Sequence, residues 1–350
     1  MLRRDIRFFM FMGSFILLIV ALYQLRSTPD SEPSHPKPNI MDLNPKEKSR
    51  NLKSYVEGEH QTFEVKKYSL RDYVIRNVQQ FVFFVGYARS GHSILASILD
   101  AHPNVVISHE YSLFHQWDDD PINHTDKSWL FSTLYDSSSN SVEEGLRRKE
   151  SSKKGYSLAV PGWWQGKFDG IIDVIGDKSG GMTAQVYRKS KEHFKYLYQQ
   201  LKNTIQMPIK VFHVVRNPYD NIATMILYNT HQKSKVNETH QFDDVDKLRQ
   251  QITAYFNQVR SVIKMINEVP LDVIEVHNTD MISNPKGVMR TVCEALQIRC
   301  SQEYLHMCAK TVFVSESKSR HLVKWTPELL DMVADGIKSF KHLQRYSFSG

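Results

Sequence analysis

The chain is poor in the residues that build small stapled or metal-held folds. It has three cysteines in 350 residues, and no two of them stand in a C-x-x-C spacing. That argues against a disulfide scaffold and against a cysteine-built zinc site. The 15 histidines include no H-E-x-x-H spacing, so no zincin-type metal site is implied. Fifteen glycines and 13 prolines are too few for a collagenous or low-complexity chain. Acidic residues are the scarcer sign, 38 against 45 Lys and Arg, which leaves a net charge of +7. Such a balance suggests an anionic partner but does not choose among nucleic acid, acidic lipid, sulfated glycan and nucleotide. What is present, 41% hydrophobic and 11% aromatic residues, suffices for a substantial core and excludes a wholly disordered chain.

Long hydrophobic runs are also scarce, and the one that occurs is placed informatively. Arg3, Arg4 and Arg7 precede an uncharged stretch from Phe8 to Tyr23 with only Gly13 and Ser14 as weak interruptions. Residues 8–25 read as a transmembrane signal anchor, because no small-x-small cleavage site follows: Ala21 is succeeded by Leu22, Tyr23 and Gln24. The positive charge lies before the span, so residues 1–7 are expected in the cytosol and the rest in the lumen, a type II topology. Residues 26–80 form a stem and lead-in, rich at first in Pro, Ser, Asn, Asp and Lys. Asn123 in Asn123-His124-Thr125 and Asn237 in Asn237-Glu238-Thr239 would accept glycans in a lumenal protein. In that compartment Cys293, Cys300 and Cys308 allow one disulfide and leave one thiol over, and spacing does not select the pair. Three buried thiols is the competing reading.

Beyond the stem, Phe81 to Val85 is a short, β-rich apolar run ending at Gly86, as expected of a central parallel strand. Val105–Ser108, Ile209–Val215 and Leu271–Val276 read as further strands, with a helical pattern from Ser93 to Ala101 and a long amphipathic helix over 242–268. Strands alternating with helices predict an α/β fold, a central parallel sheet flanked by helices in a single domain over 81–346. The polar, irregular stretch of about 118–164 reads as an insertion or lid within it.

The first strand runs straight into Gly86-Tyr87-Ala88-Arg89-Ser90-Gly91-His92-Ser93 and then a helix, which is the order a phosphate cradle requires. Its spacing is that of a P-loop, but His92 stands where nucleoside triphosphatases place lysine, and Arg89 lies earlier in the loop. A neutral or half-charged imidazole is a poor bridge between β and γ phosphates, so a P-loop kinase or nucleotidase loses ground without being excluded. A second pattern, Lys210 to Val215 followed by Arg216-Asn217-Pro218 and then Thr224, ends a strand on a cation with a hydroxyl eight positions later. Together those side chains can grip a terminal phosphate. The competing reading pairs Arg216 with Asp220.

The wider string FVFFVGYARSGHSILASILDAHPNVVISHE resembles the 5′-phosphosulfate loop of PAPS-dependent sulfotransferases, especially the membrane-bound Golgi carbohydrate and tyrosylprotein types. Arg89, Ser90, Gly91, Leu99, Asp100, His102 and Pro103 match, while His92 and Ser93 replace two threonines. The Arg216 to Thr224 segment resembles the family's 3′-phosphate site. Val276 to Pro285, with departures at His277 and Asn278, resembles the strand and turn before its Asn-Pro helix, and Ser319-Arg320 resembles its cofactor-closing loop.

This resemblance implies PAPS as co-substrate, held by Arg89, Ser90, Gly91, His92, Ser93, Arg216 and Thr224, with Lys318 and Arg320 reaching it from the C-terminal loop. It implies Glu110 as general base, His109 being the runner-up, and Arg89 and Lys178 as cations at the leaving group. An exposed lysine in a Gly-rich turn is the competing reading of Lys178. No metal and no nucleic acid enter this reading, and a homodimer is left open. The acceptor is a glycan or, second, peptidyl tyrosine, and the setting is the Golgi membrane. A catalytically inactive lumenal nucleotide-binding protein is the remaining alternative.

Overall fold

The computed structural model describes residues 77–144, 158–163, 171–312 and 315–349. The expected cytosolic tail, anchor and stem, apart from the last few lead-in residues, lie outside those residues. Among the described residues no helix is long and apolar enough to cross a membrane.

Five parallel strands form one sheet in the order β2-β3-β1-β4-β5. They are β1 (Gln80–Val85), β2 (Val105–His109), β3 (Val174–Lys178), β4 (Ile209–Val215) and β5 (Asp272–His277). Every residue of β1 is buried, as its unbroken apolar sequence requires of a strand covered on both faces. One face of the sheet carries a core in which Phe83, Phe114, Leu197, Ile222 and Tyr255 pack together. The other carries a core built from Phe84, Ile98, Phe212 and Met289.

Helix α1 (His92–Asp100) leaves the phosphate loop and buries Ile94, Leu95, Ile98 and Leu99. Its last residue, Asp100, accepts hydrogen bonds from Ile107 N (2.6 Å) and Ser138 Oγ (2.8 Å), which ties the end of α1 to β2 and to the helix over it. His102 Nε2 donates to Arg299 O (3.3 Å) while Nδ1 accepts from Asn104 N (3.1 Å). The Leu-Asp-x-His-Pro ending of the loop motif is thus a fastening of the turn into β2.

After β2 come α2 (Leu113–Asp119), α3 (Pro121–His124) and α4 (Lys127–Glu143). The irregular reading of this segment is corrected over α4, which buries Leu130, Phe131 and Leu134 in the first core. The remainder of the expected lid, 145–157 and 164, is outside the described residues. The reading of 176–181 as a turn is likewise corrected: Gly176, Asp177 and Lys178 end strand β3 between β1 and β2. A Cβ on Gly176 would lie 1.9 Å from the carbonyl oxygen of Val82, so only glycine allows β3 this close to β1.

Helices α5 (Gly180–Lys189) and α6 (Lys191–Ile205) follow β3, and α7 (Pro218–Asn229) and α8 (Val245–Glu268) follow β4. On α8 the predicted stripe is core, with Leu248, Ile252, Tyr255, Phe256 and Val259 buried. The chain ends through α9 (Asn278–Ser283), α10 (Pro285–Ala295), α11 (Gln302–Thr311), a 3-10 turn at Ser319–Leu322 and α12 (Pro327–Lys338). Cys293 and Cys300 form the disulfide, and Cys308 is free and buried.

Candidate active site

The loop after β1 is shaped by two left-handed residues, Arg89 (φ 66°) and Gly91 (φ 101°). At Gly91 a Cβ would fall 2.5 Å from Asn278 Nδ2, so the position needs glycine both for its backbone and for the close approach of α9. The loop is held from below by Asn221, whose Nδ2 donates to Ala88 O (2.8 Å). Ser90 is buried and shares a hydrogen bond with His92 Nδ1 (3.2 Å). Burial first, and then the charges of Lys178 and Arg89, push the His92 imidazole down to about 3, so it is neutral at physiological pH. Here histidine supplies a hydrogen-bonding edge, not a cation.

Lys178 stands at the C-terminal end of β3 in register with His109 of β2. Its side chain is fully buried, and its ammonium donates to Glu110 Oε1 and to Ser93 Oγ (3.4 Å). The exposed-turn reading of Lys178 is therefore corrected. Glu110 itself has a left-handed backbone (φ 62°) and its N–H donates to Lys178 O (3.1 Å). That kink turns the first residue past β2 toward the loop, which leaves its carboxylate half-exposed at the cleft. His109, also lining the cleft, belongs to the strand end itself. Next to the pair, Asp177 accepts from Tyr111 N (3.1 Å), Leu113 N (3.0 Å) and Ser108 Oγ (3.1 Å) and so fixes the β2 and β3 ends together.

At the end of β4, Arg216 donates to Thr224 Oγ1 (3.1 Å), to the loop carbonyl of Arg89 (3.2 Å) and to Ser317 O (2.9 Å). Thr224 in turn donates to Ser319 Oγ (3.0 Å). The structure brings Arg216 and Thr224 together, with Ser317 and Ser319 beside them. Asp220, the competing partner, is occupied elsewhere: its carboxylate takes Arg320 Nη2 (2.6 Å) and Nε (3.1 Å). Arg320 is almost fully buried and also donates to the carbonyls of Ser347 (3.1 Å) and Phe348 (2.7 Å). Its role is to clasp the chain end behind Arg216. Neither Arg320 nor the exposed Lys318 is among the residues lining the cleft, whereas Ser317 and Ser319 are.

Arg89, Ser93, Glu110, Arg216 and Thr224 line one cleft of about 1340 Å³ at the C-terminal ends of the strands, and the buried Ser90 and Lys178 lie behind its wall. Sequence reasoning missed several of its residues. Tyr228 lies under the Arg89 guanidinium, 3.9 Å from its carbon to the ring centroid. The position of Tyr228 one turn beyond Thr224 was the available signal. Lys233, Arg188 and Gln185 also line the cleft and had no motif to mark them, and Asn278, noted in the sequence only as a departure from the Asn-Pro segment, lines it too. The sequons Asn123 and Asn237 are both exposed. Among the described residues no group of three or more His, Cys, Asp or Glu side chains is placed to hold a metal ion.

A central parallel sheet flanked by helices, with a glycine-containing loop running from its middle strand into a helix, is the architecture that carries this cleft. A sequence profile of the sulfotransferase family matches residues 81–302, and the chain belongs to that family. It is accordingly a transferase of the class that moves sulfuryl groups. Solved structures with a similar fold include the sulfotransferase domain of the Synechococcus PCC 7002 olefin synthase (12% identity, TM-score 0.44, 75% of this chain and 95% of that one). Sulfotransferase STF9 from Mycobacterium avium aligns at 12% identity and TM-score 0.42 over 80% of this chain and 82% of its own. A mouse sulfotransferase complexed with PAP aligns at 13% identity and TM-score 0.39 over 77% of this chain and 89% of its own. No curated protein sequence matches the chain.

Proposed function

We propose that this chain transfers the sulfuryl group of PAPS to a hydroxyl, or an amine, of a glycan. The observation that carries the reading is the joining of two anion sites through the loop: Arg216 holds Thr224 and the Arg89 carbonyl at once, while Lys178 holds Ser93 at the loop's other end. The fit to a doubly phosphorylated nucleotide is supported by the loop itself, where Arg89, Gly91, His92 and Ser93 line the cleft at the start of α1. The loop N–H groups, Ser90 and Ser93 take the 5′ end, and Arg216 and Thr224 with Ser319 take the 3′-phosphate.

In the transfer, the acceptor oxygen forms a bond to sulfur as the bond from sulfur to the bridging phosphate oxygen breaks. Glu110 takes the acceptor's proton, and PAP leaves with the electron pair. Lys178, buried and shared between Glu110 and Ser93, stabilises charge on the leaving oxygen, with Arg89 above it. Because Lys178 contacts the base directly, proton uptake by Glu110 frees the ammonium for the departing phosphate. His109 is the second candidate base.

The Golgi placement and type II anchoring rest on residues 1–25 and on the lumenal sequons. The Cys293–Cys300 disulfide accords with an oxidising compartment. The test is transfer of label from radiolabelled PAPS, with no ATP or Mg²⁺, onto a panel of glycans and tyrosine peptides. Labelled glycan is the expected product. Phosphate transfer from ATP, or PAP binding without turnover on any acceptor, would replace the reading by one of its rivals.

A further inference from the structure

The proposed reaction leaves the acceptor's chemistry open, and part of the cleft is not used by the nucleotide. Helix α5 starts beside the phosphate loop, where a Cβ on Gly181 would lie 3.9 Å from Ala88 N. From there Gly181, Gln185 and Arg188 recur at i, i+4 and i+7, so one face of α5 lines the cleft. At 1.5 Å per residue, Arg188 sits about 10 Å farther along the helix than Gly181. Gln258 and Ser261, one turn apart on α8, line the same cleft. Among the described residues none of the side chains of Gln185, Arg188, Gln258 and Ser261 has a hydrogen bond or ion pair.

Arg188 is exposed, and among the described residues Arg290 and Arg299 are exposed arginines with unbonded side chains as well, but of the three only Arg188 lines the cleft. Arg249 is bonded to Asp246 and Glu328, and Arg345 grips Asp280 through both nitrogens at 2.8 and 2.6 Å. Arg188 has no such partner although it lines a cleft. A second cation, Lys233, is fixed at the end of α7 by its N–H bond to Leu227 O (3.2 Å) and lines the cleft as well. Its ammonium is depressed first by burial and then by the charge of Arg216. Among the described residues Arg89, Arg188, Arg216 and Lys233 share the cleft with two carboxylates, Glu110 and Glu316, which are paired with Lys178 and Arg320. The nucleotide accounts for Arg89 and Arg216 but not for a cation two turns along α5.

Resting on the sulfotransferase reading, we propose that the acceptor is an anionic oligosaccharide whose carboxylate or sulfate is bound by Arg188, more than one sugar away from the hydroxyl that Glu110 deprotonates. Gln185, Gln258 and Ser261 supply the amide and hydroxyl groups that pair with a hydroxyl-rich chain. The cleft also carries apolar residues, Ile94, Leu158, Met182 and Leu227, so an acidic tyrosine peptide is the rival acceptor that the test must decide against.

The test uses the full-length protein in mild detergent, titrated with and without PAP against a uronate-containing hexasaccharide, its carboxyl-reduced counterpart and an acidic tyrosine peptide. A charge-assisted contact of this kind is worth about 1.5–3 kcal/mol, or about tenfold or more in affinity. The wild type should therefore bind the uronate hexasaccharide about tenfold more tightly than the reduced one. Arg188→Ala should erase that difference, Arg188→Lys should restore part of it, and the PAP-induced rise in Tm should be the same in all three proteins. Equal affinity for the two hexasaccharides, an undiminished preference in Arg188→Ala, or tighter binding of the peptide overturns the proposal. A wild type whose Tm does not respond to PAP instead overturns the nucleotide reading, and the titrations without PAP still decide the role of Arg188.

Discussion

Arg216, Glu110 and Lys178 divide the work in a way single substitutions can separate. Arg216 makes three hydrogen bonds that join β4, α7, the phosphate loop and the C-terminal loop. Arg216→Ala should abolish the PAP-dependent rise in Tm, measured by thermal shift, because both the charge and the scaffold of the 3′ grip are removed. Glu110→Gln should leave that rise intact and lower the transfer rate by about a hundredfold or more, the usual scale of a general base. If instead Glu110→Gln keeps its rate and His109→Gln loses it, the runner-up is the base. The motifs showed Arg89, Ser90, Gly91, Arg216 and Thr224 because each lies at a fixed offset within one strand-loop-helix unit. Ser317 and Arg188 were not legible, since long-range folding alone brings them to the cleft, and Ser319 was read only as part of the closing loop, with no contact to Thr224 assigned. Arg320 misled because a buried clasp and a ligand-binding cation look alike in a sequence; only the Asp220 contact at 2.6 Å distinguishes them.

At the scale of elements, β1, β4 and the core stripe of α8 were legible because continuous apolar runs and helical periodicity survive in one dimension. Strand β3 was not, since Gly176, Asp177 and Lys178 carry the composition of a turn. Each is there for a contact across the sheet: glycine for the backbone of Val82, Asp177 for three donors from the β2 end, and Lys178 for Glu110 and Ser93. The serine-rich end of α4 hid a helix for a related reason. Ser138 is buried because its hydroxyl bonds Asp100, so tertiary contact overrides a residue preference for loops. Gly176→Ala tests the closeness of β3 to β1. Its Cβ meets a backbone carbonyl that cannot move without spreading the sheet, so we expect about 2 kcal/mol or more of destabilisation in denaturant melts. The same spreading should displace Lys178, so residual folded protein should also transfer more slowly. A Gly176→Ala protein with wild-type stability would show that the strands are not this close.

Across the whole molecule, burial holds several imidazoles neutral, and this couples the fold to pH. Burial is the largest cause at four of them: it drives His92 to about 3 and His342 to about 4, and it lowers His102 and His124. In the unfolded chain each histidine titrates near 6.5. Above that pH neither state binds a proton there, and the full stability is present. As pH falls below about 6.5 the unfolded state takes up protons that the folded state refuses, so stability is lost progressively toward the folded values. The unpaired carboxylates of the unfolded chain titrate near 4, below most of this window. We therefore expect Tm to fall by several degrees between pH 7.5 and pH 5, and His92→Gln to flatten that slope, because glutamine keeps a hydrogen-bonding edge for Ser90 without a titrating group. Bound PAP should lessen the loss, since its negative charges offset Lys178 and Arg89, the cations that oppose a proton on His92. Identical slopes for wild type and His92→Gln, with or without PAP, would place the acid sensitivity outside the site and assign it to His342, His102 and His124.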